Sequence, residues 1–453
     1  MYALRRFLIV VLLSAAASAQ SLPQSRTEPA PEDPPVLPPV IGRWDATITP
    51  DPAAGGTKYE VPFQMVVEVQ GRGLRGFLVN GTDRIPFSQT IWNNDRITLR
   101  LEQYDGEISA QCDSKRCEHL EGEYRRMTSA GLRRFKVAAR RHPVEVTGET
   151  LPWTWPSLEG QWTITQVRGP ENPDRVAPAR FEQKAAMAQH GGGAAAEVNG
   201  TIAPVSGDYG LLHGRVWVEK KEDTAASFEL SRFDGVHLVL VRGQIQRDGT
   251  LVGKLTTGPK SSFDITGAKR AAPAKTGTPE EPNPETVTRV KDPAQPFQFR
   301  AIDLRTGKPV TQSDPRFRGK ALIVDIFGTW CPNCHDEAPL LSDLHNRYRE
   351  QGLEIVGLAY EYTPDRARSA RLIDLYRKKY NIGFPLLLAG TTDEGQIEKT
   401  LPQLVNFSAY PTTVFIDREG KVHAIHSGFA GPATGKYEEV KHRFEELVRQ
   451  ILK

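Results

Sequence analysis

The sequence predicts two small antiparallel β domains followed by an α/β domain with a mixed sheet. A degenerate repeat indicates the two β domains, because Gly42-Arg-Trp44 recurs as Gly160-Gln-Trp162 and Val79-Asn80-Gly81-Thr82 recurs as Val198-Asn199-Gly200-Thr201. Each copy alternates apolar and polar residues between Asn-Gly and Asp-Gly turns, which is typical of β-meanders. After residue 296, strand-like apolar runs alternate with helix-like segments, as in α/β domains. The 453 residues are long enough for three folded regions.

The first residues of the chain have the pattern of a secretory signal peptide. Arg5 and Arg6 precede the short apolar run from Phe7 to Leu13, and Ala17-Ser18-Ala19 offers small residues for cleavage. The apolar run is too short to span a bilayer, and no cysteine follows the cleavage point to carry a lipid. We therefore predict a signal peptide at residues 1–19, a proline-rich linker at 20–39, and a soluble periplasmic protein without a stable membrane anchor. That compartment permits disulfide bonds.

The two β domains are predicted at residues 40–142 and 157–270, as barrels or sandwiches. A further similarity, of Asp95–Leu101 to Asp234–Leu240, extends the repeat at a larger offset, which an insertion in the second copy would explain. Neither copy contains a Ser/His/Asp order, a phosphate loop or a set of metal ligands. The sequence therefore predicts no chemistry in either β domain.

One pair of cysteines lies in the first β domain. Cys112 and Cys117 flank four residues at a place where the second copy has a tight turn. Two cysteines that close a short hairpin loop in an oxidising compartment predict a structural disulfide. A second redox-active pair is the poorer alternative, because no strand-to-helix junction is present there to stabilise a thiolate.

A second proline-rich linker, at residues 271–295, separates the β domains from the α/β domain at 296–453 and implies separately folded units. From residue 296 onward we predict strands at Ala321–Phe327, Leu353–Ala359, Phe384–Leu388, Tyr410–Asp417 and Val422–His426, and helices at His335–Glu350, Asp365–Tyr380 and Tyr437–Leu452.

The most informative motif of the chain is Trp330-Cys331-Pro332-Asn333-Cys334, between a predicted strand and a predicted helix. At a helix N-terminus the free N–H groups and the helix dipole favour a thiolate on Cys331. Cys334 lies one turn further in, within reach of a mixed disulfide formed by Cys331. The alternative is half of a zinc site, which needs a second Cys/His pair; the other two cysteines of the chain belong to a distant segment. We expect no bound metal.

Around this motif, residues 296–453 resemble the thioredoxin-fold thiol–disulfide oxidoreductases of the TlpA/ResA type. The resemblance rests on the CxxC motif, on Asp325 six residues before Cys331, on Glu337 three residues after Cys334, and on the turn at Tyr410-Pro411. A peroxiredoxin is a poorer match, because Thr329 lies two residues before Cys331 and the peroxiredoxin pattern places a threonine three residues before.

The resemblance implies a role for each of these residues. Asp325 or Glu337 would take the proton of Cys334, and a buried carboxyl suits this task because burial raises its pKa. The alternatives are a strand-end aspartate bonded to backbone and an ordinary first-turn glutamate. Pro411 would follow a cis peptide bond, and Trp330, Tyr410, Pro411 and Thr412 would contact the client protein; the alternative is a trans proline at the start of a strand.

The predicted function is reduction of disulfides in client proteins, with no cofactor beyond the redox-active Cys331–Cys334 pair. The resemblance also implies a membrane protein that returns electrons to this pair. The net charge of +3 gives no case for nucleic-acid binding. The Pro-Asn dipeptide between the cysteines leaves the direction of electron flow open, so a disulfide oxidase or isomerase is an alternative. A second alternative is a client-binding assembly factor in which the CxxC is subsidiary.

Overall fold

The first β domain is a single antiparallel sheet that curls around its own core. In the computed structural model, the described residues are 37–50, 59–143, 150–168, 174–188, 193–204, 206–258, 261–270 and 283–453. The sheet contains β1 Gly42–Pro50, β2 Val61–Gln70, β3 Gly73–Asn80, β4 Asp83–Pro86, β5 Gln89–Asn93, β6 Arg96–Leu101, β7 Gly106–Cys112, β8 His119–Thr128 and β9 Gly131–Arg141. Its spatial order is β4-β3-β2-β1-β9-β8-β7-β6-β5. The first and last strands of this domain, β1 and β9, therefore pair with each other. The two edges of the sheet are β4 and β5, which do not pair.

The second β domain repeats this plan and closes it. Its strands are β10 Thr150–Leu151, β11 Gly160–Val167, β12 Arg175–Gln183, β13 Ala186–Ala188, β14 Ala194–Ile202, β15 Leu212–Val218, β16 Ala226–Phe233, β17 Leu238–Ile245, β18 Thr250–Gly258 and β19 Ser261–Lys269. β11 pairs with both β12 and β19, and β14 pairs with β15, so eight of these strands form a closed antiparallel barrel. Of the two predicted forms, barrel and sandwich, the second β domain has the closed barrel, and the first is a barrel left open between β4 and β5.

Equivalent tryptophans confirm the repeat. Trp44 and Trp162 are fully buried, one in the core of each barrel. The indole N–H of Trp44 donates to the carbonyl of Val40 at 2.9 Å, and that of Trp162 donates to the carbonyl of Leu158 at 2.7 Å. A buried indole needs such a partner because an unpaired donor would be costly. The two G-x-W segments therefore begin the same structural unit twice.

The third proposed similarity of the repeat lies on strands of matching order. Arg96–Leu101 forms β6, which is the sixth strand of the first sheet counted from β1. Leu238–Ile245 forms β17, which is the sixth of the eight barrel strands counted from β11. Counted back from the closing strands β9 and β19, the two differ by one strand, so the first sheet has one more strand after this point.

The C-terminal domain is a mixed sheet with helices. Its elements are α1 Pro284–Val287, β20 Arg289–Val290, β21 Arg300–Asp303, β22 Lys308–Thr311, β23 Ala321–Phe327, α2 Pro332–Tyr348, β24 Leu353–Glu361, α3 Arg366–Tyr380, β25 Leu386–Thr391, α4 Gln396–Thr400, β26 Leu404–Val405, β27 Thr412–Ile416, β28 Val422–Ser427 and α5 Tyr437–Ile451. The main sheet has the order β22-β21-β25-β24-β23-β27-β28. β23, β24 and β25 are parallel, whereas β27 and β28 run antiparallel to their neighbours. This is the predicted thioredoxin-type arrangement.

Part of the predicted second linker belongs to the C-terminal domain. Residues 271–282 lie outside the described residues, as do the predicted signal peptide and residues 20–36 of the first linker. β20 pairs with β26, and the Thr288 side chain is fully buried and bonded to Ser427. Glu285 forms an ion pair with Arg443 of α5. The proline-rich composition concealed this short segment, whose buried side chains are few.

The β domains and the C-terminal domain are not independent bodies in this structure, because residues 39–453 form one compact unit. Asn80 of the first barrel exchanges two hydrogen bonds with the backbone of Phe233 in the second. Asp105 of the first barrel forms an ion pair with Arg368 of α3 at 2.5 Å. The expectation of separately folded units drew on linker composition, which carries no information about such contacts.

Candidate active site

The dithiol lies where β23 ends and α2 begins. All seven residues of β23 are buried, and the strand lies between the parallel β24 and the antiparallel β27. Cys331 is the N-cap of α2 and Pro332 is its first residue, a position that favours proline because no N–H partner is lost. The Cys334 N–H donates to Sγ of Cys331 at 3.4 Å. Cys331 therefore has the helix N-terminal position that the sequence predicted.

Both thiols are buried. Cys331 is 5% exposed and Cys334 is 1% exposed, and neither is in a disulfide. Reactive cysteines are usually partly exposed, so the burial of Cys331 is unusual for an attacking thiol. Burial raises the pKa of Cys334 well above its ordinary value, with further contributions from Cys331 and from the charge of Asp325. Cys334 therefore needs an acceptor for its proton before it can attack.

Two buried carboxyl groups lie beside the dithiol. Asp325 is 3% exposed and Glu337 is 1% exposed. Burial raises the pKa of Asp325 to about 8, and burial together with the charge of Asp325 raises the pKa of Glu337 well above its ordinary value. Oδ1 of Asp325 and Oε2 of Glu337 have no hydrogen-bond partner among the described residues. The other Glu337 oxygen accepts a hydrogen bond from Thr413 at 2.6 Å.

The predicted client-binding turn lies next to Cys331. The Tyr410–Pro411 peptide bond is cis, as predicted. The Cys331 thiol donates to the carbonyl of Tyr410 at 3.4 Å. Trp330 is partly exposed; its ring stacks on Tyr362 with centroids 4.6 Å apart and its N–H donates to the carbonyl of Tyr360. These aromatic side chains border the dithiol on one side.

The Thr412 side chain faces the protein interior. It is fully buried, and the hydroxyl donates to the carbonyl of Ala409 at 2.8 Å. The residue begins β27, where it pairs with Ile326 of β23. The predicted contact of Thr412 with a client is therefore left to its backbone groups.

Glu361 was missed by the sequence reasoning. It is fully buried at the end of β24, next to the end of β23, and accepts hydrogen bonds from the N–H and the hydroxyl of Thr329 at 3.1 and 2.9 Å. Burial raises the pKa of Glu361 to about 7. The sequence did contain an indication of this role, because Glu361 directly follows the predicted strand that neighbours the strand before the CxxC motif. This group fixes the turn that leads into Cys331.

His335 and Tyr376 were also missed. The imidazole of His335 bonds the carbonyl of Thr329 at 2.8 Å and the hydroxyl of Tyr380 at 2.7 Å. The Tyr376 hydroxyl donates to the carbonyl of Cys334 at 2.6 Å. These bonds secure the first turn of α2 from the side of α3. His335 follows Cys334 directly in the sequence, but its partners are too distant in the chain to be predicted.

The second cysteine pair is a disulfide, as predicted. Cys112 and Cys117 are bonded to each other at the end of β7. They are therefore not available to complete a zinc site with the CxxC. Within the described ranges, no group of three or more His, Cys, Asp or Glu side chains is placed to hold a metal ion.

Comparison with known proteins places the C-terminal domain in context. The AhpC/TSA family profile matches residues 290–425. Thiol-disulfide oxidoreductase ResA of Bacillus thuringiensis subsp. konkukian is 29% identical over 153 residues, which cover 34% of this chain and 74% of that protein. The ResA of Bacillus subtilis is 28% identical over 122 residues, which cover 27% of this chain and 60% of that protein.

The C-terminal domain is therefore similar in sequence to thiol-disulfide oxidoreductases named ResA. Among solved structures, a Chlorobium tepidum protein described as a putative thiol:disulfide interchange protein DsbE is 22% identical. The match covers 36% of this chain and 99% of that chain, with a TM-score of 0.27. The matched family profile begins at residue 290, after both β domains. In the part of the chain that the structure describes, helices of a length and apolarity sufficient to cross a membrane are absent.

Proposed function

We propose that this protein is an extracytoplasmic thiol–disulfide oxidoreductase that reduces disulfides of client proteins through Cys331 and Cys334. The observation that carries the proposal is the pair of thiols at the N-terminus of α2 with two buried carboxyl groups beside them. The activity named for the ResA relatives agrees with this chemistry. A signal peptide at residues 1–19 would deliver the protein to the periplasm, where disulfide-bearing clients occur.

The reaction begins at Cys331. Its thiolate attacks one sulfur of the client disulfide, the client S–S bond breaks, and a Cys331–client disulfide forms. The displaced client sulfur leaves as a thiolate and takes a proton from solvent. Trp330 and the carbonyl of Tyr410 border Cys331, so this part of the surface would contact the client segment around its disulfide.

Cys334 completes the reaction. It loses its proton, attacks Sγ of Cys331 and releases the second client sulfur, so that two electrons have passed to the client and Cys331–Cys334 is oxidised. We assign Asp325 as the main proton acceptor. Its charge contributes to the raised pKa of Cys334, and one of its oxygens has no partner among the described residues. Glu337 is second, because Thr413 occupies one of its oxygens.

The oxidised pair must be reduced again before the next cycle. We propose that a membrane thiol-reducing protein supplies the electrons, because reductant does not accumulate in an oxidising compartment. The dithiol itself carries the electrons, so the cycle needs no diffusible cofactor.

A single-turnover assay tests the proposal. Pre-reduced protein is mixed with insulin, and the release of insulin thiols and the oxidation of the CxxC are followed together. We expect one equivalent of insulin disulfide reduced for each dithiol, and no reduction by the Cys331→Ser variant. Full insulin reduction by Cys331→Ser would refute Cys331 as the attacking thiol, whereas full restoration of a deletion phenotype by Cys331→Ser would favour the assembly-factor alternative. A reduction potential of the Cys331–Cys334 pair of about −270 mV supports a reductase, whereas one of about −120 mV supports an oxidase.

A further inference from the structure

Cys331 is more enclosed than its proposed chemistry needs. A reactive cysteine is usually partly exposed, yet Cys331 is only 5% exposed and the neighbouring Asn333 is 9% exposed. Both barrels place residues against the motif or the first turn of α2. Tyr104 of the first barrel lies against His335, and Gly207 of the second lies against Asn333.

The first barrel contributes Tyr104 and Asp105, between β6 and β7. Tyr104 is 7% exposed, and its ring meets the edge of His335 with centroids 5.0 Å apart. Burial raises the pKa of Tyr104 well above its ordinary value, and Cys331 is among the nearby charges that add to this rise. Asp105 binds both Arg368, at 2.5 Å, and Arg371 of α3. The ion pairs therefore hold Tyr104 over the first turn of α2.

The second barrel contributes Gly207 and Asp208, between β14 and β15. Gly207 has a φ of +116° and lies so close to the CxxC that a β-carbon there would be 1.8 Å from Nδ2 of Asn333. Asp208 is 2% exposed, and its Oδ2 accepts a hydrogen bond from the N–H of Gly431 at 2.7 Å. Gly431 follows β28, the strand next to the Pro411 turn. This bond ties the second barrel to the C-terminal domain beside the motif.

We propose that Tyr104 and the Gly207–Asp208 turn are specificity-determining residues that form a two-sided cover over the dithiol. The cover admits small reagents to Cys331 and holds back bulky ones until the contacts of Asp105 and Asp208 break. The inference rests on the proposed function, because access matters only if Cys331 reacts with clients. A client that displaces the barrels would gain access, and other disulfide proteins would be excluded.

Alkylation tests the cover without relying on disulfide reduction. Reduced full-length protein is treated in parallel with N-ethylmaleimide and with a maleimide on a polyethylene glycol chain of about 5 kDa, and modification of Cys331 is quantified by peptide mass spectrometry. For each target we take the ratio of the rate with N-ethylmaleimide to the rate with the bulky maleimide. In the unaltered protein we expect this ratio to be at least tenfold larger than in a free cysteine peptide. The Asp105→Asn and Asp208→Ala variants should each lower this rate ratio at least fivefold.

The variants are chosen to keep the fold. Asp105 has a φ of +49°, a conformation that asparagine also adopts, and its substitution removes the charge that binds the two arginines. Glu68→Gln is the matched control. It also removes a carboxylate of the first barrel from an ion pair with an arginine, Arg84, but this pair lies on the exposed surface. Circular dichroism verifies each fold. Should Asp208→Ala not fold, Asp105→Asn decides alone.

Three results would overturn the proposal: equal reactivity of the two reagents in the unaltered protein, no change in either folded cover variant, or the same change in Glu68→Gln. The same proteins are then reacted with insulin and with 2-hydroxyethyl disulfide. A faster insulin reaction in the cover variants, with the small disulfide changed less than twofold, supports the proposal further. Failure of every protein to reduce either disulfide would refute the proposed function while leaving the alkylation result intact.

Discussion

Asp325 gives the clearest quantitative prediction. Its native pKa of about 8, raised by burial from 3.8, means that the folded protein resists ionisation of this carboxyl. The free energy of unfolding is therefore unaffected by this group below pH 3.8. It falls as the pH rises from 3.8 to about 8, because the unfolded chain ionises there and the folded protein does not. At about 1.4 kcal/mol for each pH unit, the loss reaches roughly 4 kcal/mol at pH 7. This figure is an upper bound, because water entry would lower the cost of the charge.

The Asp325→Asn variant removes this loss. At pH 4 we expect it to be less stable than the parent by about 1–3 kcal/mol, because its buried amide lacks a partner. Between pH 5 and 8 its stability relative to the parent should rise, and by pH 7 the variant should be the more stable protein. Glu354→Gln is the control: the pKa of Glu354 is lowered, since bonds from His345 and Lys320 outweigh its burial, so its stability difference should be flat over this range.

The measurement is urea denaturation in a Cys331→Ser background, which prevents the active-site disulfide without added reductant. Hydrogen exchange of peptides from β23 and α2 reports the transition of the C-terminal domain separately from the barrels. A stability difference for Asp325→Asn that is constant from pH 5 to 8, like that of Glu354→Gln, would refute the assignment of a raised pKa to Asp325.

The remaining predictions concern the second disulfide and the second carboxyl. Replacement of Cys112 and Cys117 by serine should cost at most about 2–4 kcal/mol of unfolding free energy, because the enclosed loop is short, and should leave Cys331 reactivity unchanged; unfolding in urea and alkylation rates check both statements. Glu337→Gln should slow the release of the second insulin thiol less than Asp325→Asn does, because Thr413 already holds one Glu337 oxygen. Stopped-flow thiol detection compares the two rates, and a larger effect of Glu337→Gln would reverse the assignment of the proton acceptor.

Local patterns predicted the scaffold of the site. β23 has the predicted bounds, because a continuous apolar run between turn residues leaves little choice of conformation. The helix after it was predicted from His335 and begins three residues earlier, at Pro332, because proline favours a first helical position. Asp325 stood out as a carboxyl within the apolar run. These features depend only on neighbours in sequence, and the sequence therefore contains the information.

Contacts between distant segments were not predictable in this way. Asp105 and Arg368 are 263 residues apart, and each is an ordinary charged residue in its own segment. Gly207 lies in a segment with the composition of a loop, and no neighbouring residue indicates that it lies against Asn333. Periodicity reveals which face of an element is buried but not which surface covers it. The cover over the dithiol therefore emerged only from the structure.

The most direct test of the account is to trap the mixed disulfide. The Cys334→Ala variant lacks the thiol that resolves the Cys331–client disulfide, so insulin or a native client should accumulate as a covalent adduct. We predict that peptide mass spectrometry finds the adduct on Cys331, that dithiothreitol releases it, and that the Cys331→Ala variant forms none. Absence of an adduct in Cys334→Ala, or an adduct carried by Cys112 or Cys117, would contradict the assignment of Cys331 as the attacking thiol.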